Sequence, residues 1–244
     1  MSQVTSSSID QSVEQLSGQM TLLEHLEELR DRLVKVAIAV FVCTLLSAAF
    51  TTQILELLIA PYGQKLQVLG PTEGITIYFR VALTAGLVIS MPFLVYQFFM
   101  FILPGLEKNE RRYVLWGVPF ATLLFMIGVW FAWQILTPTA VNFLSTWQPE
   151  IFIQQWQSRE YIPFVTSLVF WVGLSFETPL ILFIMTKIGL VTPQFLIKQW
   201  RFAIVIIAIA AAMITPTVDP FNMALVMFPL IILYGLSILL SYLA

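Results

Sequence analysis

One acid in this chain lies where an ionised carboxylate is costly. Glu177, in Leu174-Ser-Phe-Glu-Thr-Pro-Leu180, is deep within an apolar segment. A charge there costs several kcal/mol unless it is neutralised, paired or wetted, which makes it a functional site by default. The plainer reading is a protonated acid hydrogen-bonded to a neighbouring helix. Pro179 cannot donate its backbone N–H and so frees a carbonyl near position 175, adding local polarity. Gln97, in a different apolar segment, is a second polar group able to share such a site.

Two further groups of acids are interleaved with bases. Thr21 to Leu33 carries Glu24, Glu27, Glu28, Arg30, Asp31 and Arg32, and Phe101 to Arg112 carries Glu107, Lys108, Glu110, Arg111 and Arg112. The ordinary roles of these acids are local. Glu28 and Arg32 form an i, i+4 pair with the acid first, contributing a few tenths of a kcal/mol to a solvated helix. Glu110 lies near a helix start, where a carboxylate suits the dipole.

The elements that must position these groups follow from spacing. Thr21 with Glu24 has capping-box spacing, and Leu22, Leu26, Leu29 and Leu33 stack on one helical face. This pattern predicts an amphipathic helix lying along a membrane surface and feeding into a span. Six apolar segments follow, at roughly 34–58, 76–102, 113–137, 163–186, 202–215 and 221–243. The first four suit a hydrocarbon core of ~30 Å. The fifth is short, Pro229 is expected to interrupt the sixth and Gly235 to weaken its second half, which predicts a thinned bilayer beside the pair.

Composition agrees: of 244 residues, 59% are hydrophobic and 11% charged, with mean hydropathy +0.87. Soluble domains carry about a quarter charged residues, so the chain belongs in a bilayer. The net charge of −2 shows no basic surface for nucleic acid. Residues 1–20 are polar and expected to be a disordered tail with no cleavable signal, leaving 21–244 as one membrane domain. Cys43 reads as a small buried hydrophobe.

Nine of the twelve Lys and Arg residues (Arg30, Arg32, Lys35, Lys108, Arg111, Arg112, Lys187, Lys198 and Arg201) fall on one side of the six spans. Lys65, Arg80 and Arg159 fall on the other. This asymmetry puts both termini in the cytoplasm, and the acid groups around Glu28 and Glu110 share that side. The outer stretches Ala60 to Gly74 and Pro138 to Pro163 read as caps on the bundle. With one histidine, His25, no His-paired metal site can be built, and neither a phosphate-binding Gly loop nor a Gly-x-Ser-x-Gly elbow is present. No catalysis, metal or cofactor is expected.

Four motifs together are specific. His25-Leu-Glu-Glu-Leu-Arg-Asp-Arg32, Pro104-Gly-Leu-x-x-x-Glu-Arg-Arg112, Ser175-Phe-Glu-Thr-Pro179 and Thr215-Pro-Thr-Val-Asp-Pro220 resemble those of the TatC family, the six-span core subunit of the twin-arginine protein translocase. The resemblance runs from about residue 21 to the end. It implies an all-α polytopic membrane protein that recognises signal peptides with paired arginines and helps export folded proteins using the protonmotive force. The implied partners are single-span TatA and TatB type subunits, within a homo-oligomer in a larger complex. The implied location is a cell inner (plasma) membrane, or a thylakoid. By the same resemblance Glu28 and Glu110 face the arginine pair, Phe101 and Leu106 flank that surface, and Glu177 is the intramembrane polar position used by partners or by the inserted signal peptide. One departure is Gly235, where the family often has an acid after Leu-Tyr.

The leading alternative is an ion-coupled small-solute transporter with Glu177 as coupling carboxylate. Such transporters show inverted repeats with paired broken helices, and no such symmetry is visible. A structural scaffold would leave the cytoplasmic acids without a role.

Overall fold

No Gly or Pro interrupts Leu22 to Ala48, so the charged stretch and the first apolar segment form one 27-residue helix, α1 (Leu22–Ala48). The computed structural model describes residues 22–102, 111–148, 150, 155–215 and 219–243. Thr21 of the expected capping box and the tail lie outside the described residues. The amphipathic stretch therefore does not turn to lie flat. It continues the span, with Leu23, Leu26, Leu29 and Leu33 exposed.

The first span ends in a 79° bend into α2 (Thr51–Ile59). Neither Gly nor Pro makes it; side-chain hydroxyls do. Ser47 Oγ donates to the Cys43 carbonyl at 2.7 Å, and Thr51 Oγ1 donates to the Ser47 carbonyl at 3.1 Å. Phe50 N also donates to Ser47 O at 3.0 Å, and the Tyr78 hydroxyl reaches the Ala48 carbonyl. Carbonyls freed by the bend are thereby satisfied inside an apolar medium.

Helix α3 (Glu73–Ile102) packs along α1. They approach closely at Gly86, where a Cβ would stand 2.7 Å from the Thr44 backbone nitrogen. Only glycine lets the two backbones meet there. Helix α4 (Arg111–Phe131) passes through a π-turn at Ala132–Leu136 into α5 (Thr137–Ser145). Thr137 Oγ1 donates to the Ala132 carbonyl at 2.8 Å within that turn. The third apolar segment thus stays helical to Ser145, beyond its sequence-based end at 137, because Pro138 occupies the first turn of α5, where its missing N–H costs nothing.

Helix α6 (Ser158–Ser175) starts five residues before the expected span, breaks at Phe176-Glu177, and continues as α7 (Thr178–Lys187). It crosses α4 where Gly128 faces Gly173: a Cβ on Gly128 would meet Gly173 Cα at 2.9 Å. The short α8 (Pro193–Lys198) leads to α9 (Trp200–Ile214) and α10 (Pro220–Ser241). Fifteen residues of α9 reach only about 22 Å. The expected shortness of the fifth span holds. The sixth differs from expectation: α10 runs 22 residues straight through Pro229, as intramembrane helices tolerate. Among the described residues the fold is all-α and polytopic: with the bent α1–α2 pair counted as one, five helices are long and apolar enough to span, and the shorter apolar α9 makes a sixth.

Packing divides into two clusters. The outer one joins Leu58, Val81, Leu136, Tyr161, Phe164, Leu168 and Val226 across α2, α3, the π-turn, α6 and α10. The inner one is smaller: Met91, Val95, Phe99, Ala121, Phe125, Leu180 and Ile184.

Candidate functional site: an inner acidic crossing

At the inner ends of α1 and α3, helical register gathers a polar group. His25, Glu28 and Arg32 lie at i, i+3 and i+7 on one face of α1. Gln97 and Phe101 lie at i and i+4 on the facing side of α3. Arg32 Nε donates to Glu28 Oε1 at 2.9 Å, and its Nη2 donates to the same oxygen. Arg32 Nη1 donates to Gln97 Oε1 at 3.1 Å. Both charged side chains of the pair are only 17% exposed, so their attraction is less screened than at an open surface.

The second carboxylate oxygen is different. Glu28 Oε2 is buried and has no hydrogen-bond partner among the described residues. His25 Nδ1 stands 3.8 Å away, too far for a hydrogen bond. The His25 ring is occupied otherwise, stacked on Phe101 with centroids 4.3 Å apart and planes 18° apart. One oxygen of Glu28 thus already takes a guanidinium, while the other keeps its bonding capacity beside a half-buried aromatic ring.

The structure therefore brings Glu28 and Phe101 together. Glu110 and Leu106 lie outside the described residues. Gln97, expected to share a polar site with Glu177, instead bonds Arg32 at the inner crossing. Sequence reading counted Arg32 only as a local partner of Glu28 and did not join it to Gln97. The i, i+4 spacing of Gln97 and Phe101 puts both on one face, but nothing in the sequence pairs that face with α1.

Glu177 is a separate site. It occupies the break between α6 and α7, buried, its Oε1 without a hydrogen-bond partner among the described residues. Its backbone is satisfied: Glu177 N donates to Leu174 O at 3.1 Å, and Glu177 O accepts from Leu180 N and Ile181 N at 3.0 Å each. Ser175 Oγ donates to Trp171 O at 2.7 Å. Among the described residues no group of three or more His, Cys, Asp or Glu is placed to hold a metal.

Residues 24–229 match the family model described as Sec-independent protein translocase protein (TatC). A relative from Deinococcus radiodurans, named Sec-independent protein translocase protein TatC, is 38% identical over 232 residues, covering 90% of this chain and 85% of that one. A chloroplastic TATC protein of Arabidopsis thaliana is 34% identical over 219 residues, covering 88% and 64%. The crystal structure of a twin-arginine translocase receptor, TatC, superposes with a TM-score of 0.82 at 35% identity, covering 90% of this chain and 99% of that one.

Proposed function

This chain belongs to the Sec-independent protein translocase TatC family, and from that premise we propose that its inner crossing is a receptor site for twin-arginine signal peptides. The carrying observation is Glu28: a carboxylate already engaged by one guanidinium, with its other oxygen buried and unbonded. An incoming arginine finds there an acceptor whose solvation has already been removed, and Phe101 offers a ring face to its plane. Arg32 can retain Gln97 as a partner when Glu28 turns to the ligand. Glu110 supplies the second carboxylate and Leu106 an apolar flank, both from the stretch of sequence between α3 and α4.

The protein works as a multi-pass component of a translocase rather than as a catalyst. Single-span TatA and TatB type subunits are its proposed partners, and Glu177 the polar point at which a partner's span or the inserted signal docks. The protonmotive force is the proposed energy source, and a plasma membrane the proposed location, with a thylakoid as the other membrane that houses relatives. Family membership gives no support to the solute-transporter alternative.

Binding of a synthetic twin-arginine signal peptide to the detergent-solubilised chain tests the site. A peptide with both arginines replaced by lysine should bind at least about tenfold more weakly, because an ammonium lacks the two-pronged fork that meets a carboxylate. Equal binding of the two peptides would refute an arginine-reading site.

A further inference from the structure

The outer end carries only three of the chain's bases, and two of them share a cleft. Arg80 on α3 and Arg159 at the start of α6 line a crevice of about 710 Å³, together with Thr72, Thr76, Gln157 and Pro163. Both arginines are exposed. Among the described residues no hydrogen bond or ion pair engages either guanidinium. The one acid in the cleft, Glu73, does not neutralise them. Its Oε1 accepts from Ser158 Oγ and from Arg159 N at 2.8 Å, and its Oε2 accepts from Leu69 N at 3.0 Å and Gly70 N at 3.1 Å. With four donors on two oxygens, Glu73 is held ionised and turned to its own loop, and two guanidiniums against one carboxylate leave the crevice net positive.

Depth decides what the two arginines meet. Arg80 lies seven residues into α3, about 10 Å along the helix from its start. Its exposed neighbours are Phe79 and Leu83, side chains suited to acyl chains rather than water. A guanidinium at that level reaches up to the headgroup layer and takes an anion there. Two such groups converge on one crevice beside the Thr72 hydroxyl and the Gln157 amide, which can donate to further oxygens.

We propose that this crevice binds the phosphate of an anionic phospholipid in the outer leaflet, Arg80 and Arg159 clamping the phosphodiester while the acyl chains lie on Phe79 and Leu83. Phosphate oxygens suit bidentate guanidinium contact, and two fixed positive charges disfavour a choline headgroup, whose own cation they would repel.

The test uses the full chain in detergent, titrated with palmitoyl-oleoyl phosphatidylglycerol and followed by native mass spectrometry. Basic groups at the inner end bind this lipid equally in wild type and variant, so the difference isolates the crevice. Wild type should hold one more phosphatidylglycerol per chain than Arg80→Ala/Arg159→Ala, at a lipid concentration at least about tenfold below that needed to refill the variant. Arg80→Lys/Arg159→Lys should fall between them, because charge remains while the fork is lost. Thermal unfolding of all three should agree, since both side chains are exposed. Equal phosphatidylglycerol counts in wild type and the double alanine variant would overturn the proposal. So would equal retention of phosphatidylcholine. Displacement of the extra lipid by millimolar inorganic phosphate would show a site for soluble anions and overturn the lipid assignment.

Discussion

The two ends of this bundle treat their polar groups in opposite ways. At the outer end the groups that join the loops are bonded within the chain. Gln67 N donates to Trp156 O at 3.0 Å and Ser158 N donates to Gln67 O at 2.9 Å, joining the two long outer loops. Glu73 takes four donors, and the buried Tyr161 hydroxyl donates to Leu58 O at 2.9 Å while its ring packs against Tyr62 and Trp156. At the inner end one oxygen of Glu28 is left without a bond, and halfway down so is Oε1 of Glu177. Buried polar groups are normally satisfied within a chain, so an acid with an orphaned oxygen is a candidate for an outside partner. The contrast teaches that the outer acid and loop groups hold shape, while Glu28 and Glu177 are held ready.

The largest expected effect tests the closed end. Tyr161→Ala removes a fully buried ring and its hydrogen bond, and should destabilise the protein by about 3 kcal/mol or more. Thermal unfolding in detergent would show the loss, while properly folded molecules keep their affinity for signal peptide. A fall in affinity as large as the fall in stability would erase the distinction between the two ends.

A smaller effect comes from Glu73→Gln. The amide keeps one acceptor oxygen but loses the charge and half of the acceptor set, so the two loops should be held together less firmly. The loop between α2 and α3 should then be cut faster by protease added from the outer side. Unchanged cleavage would mean that the Gln67 bridge holds the loops alone.

Glu177 gives an effect of the opposite sign. Since one of its oxygens is buried without a partner, Glu177→Leu should leave the isolated chain as stable as wild type or more stable by up to about 1 kcal/mol. Transport should suffer more from Leu than from Gln, because the amide can still bond to a partner's span. If Leu unfolds the chain, the acid has an internal role, and Glu177 belongs with the closed end. Gly173→Val is a control with no such ambiguity: its new Cβ would stand 2.8 Å from Val129 Cγ2, and the α4–α6 crossing should loosen with it.

How much of this could be read in advance differs by element. Span number was legible because hydropathy acts over whole segments, and the burial of an acid at Glu177 was legible because a charge in an apolar run is rare. The bend after Ala48 was not, since its makers, Ser47, Thr51 and Tyr78, are hydroxyls that look like ordinary residues until the backbone needs them. The continuous α10 was misjudged because a proline that breaks a helix in water is tolerated in a packed apolar bundle. At the inner site Glu28 and Phe101 were identified through family resemblance. The Arg32–Gln97 link spans 65 residues, and no local pattern announces a contact between helices. Glu73 escaped notice for the same reason: two of its four donors come from Ser158 and Arg159, 85 and 86 positions away.

The receptor role of the inner end stands most directly on whether Glu28 meets an arginine of the peptide. A double-mutant cycle measures that contact alone: wild type and Glu28→Gln, each binding a twin-arginine peptide and one with a single arginine changed to glutamine. Direct contact should appear as a coupling of about 1 kcal/mol or more for one of the two arginines, with peptide binding to Glu28→Gln about tenfold weaker and its unfolding temperature little changed. Strictly additive losses for both arginines would show that Glu28 only anchors Arg32, and would contradict its assignment as a receptor for the signal.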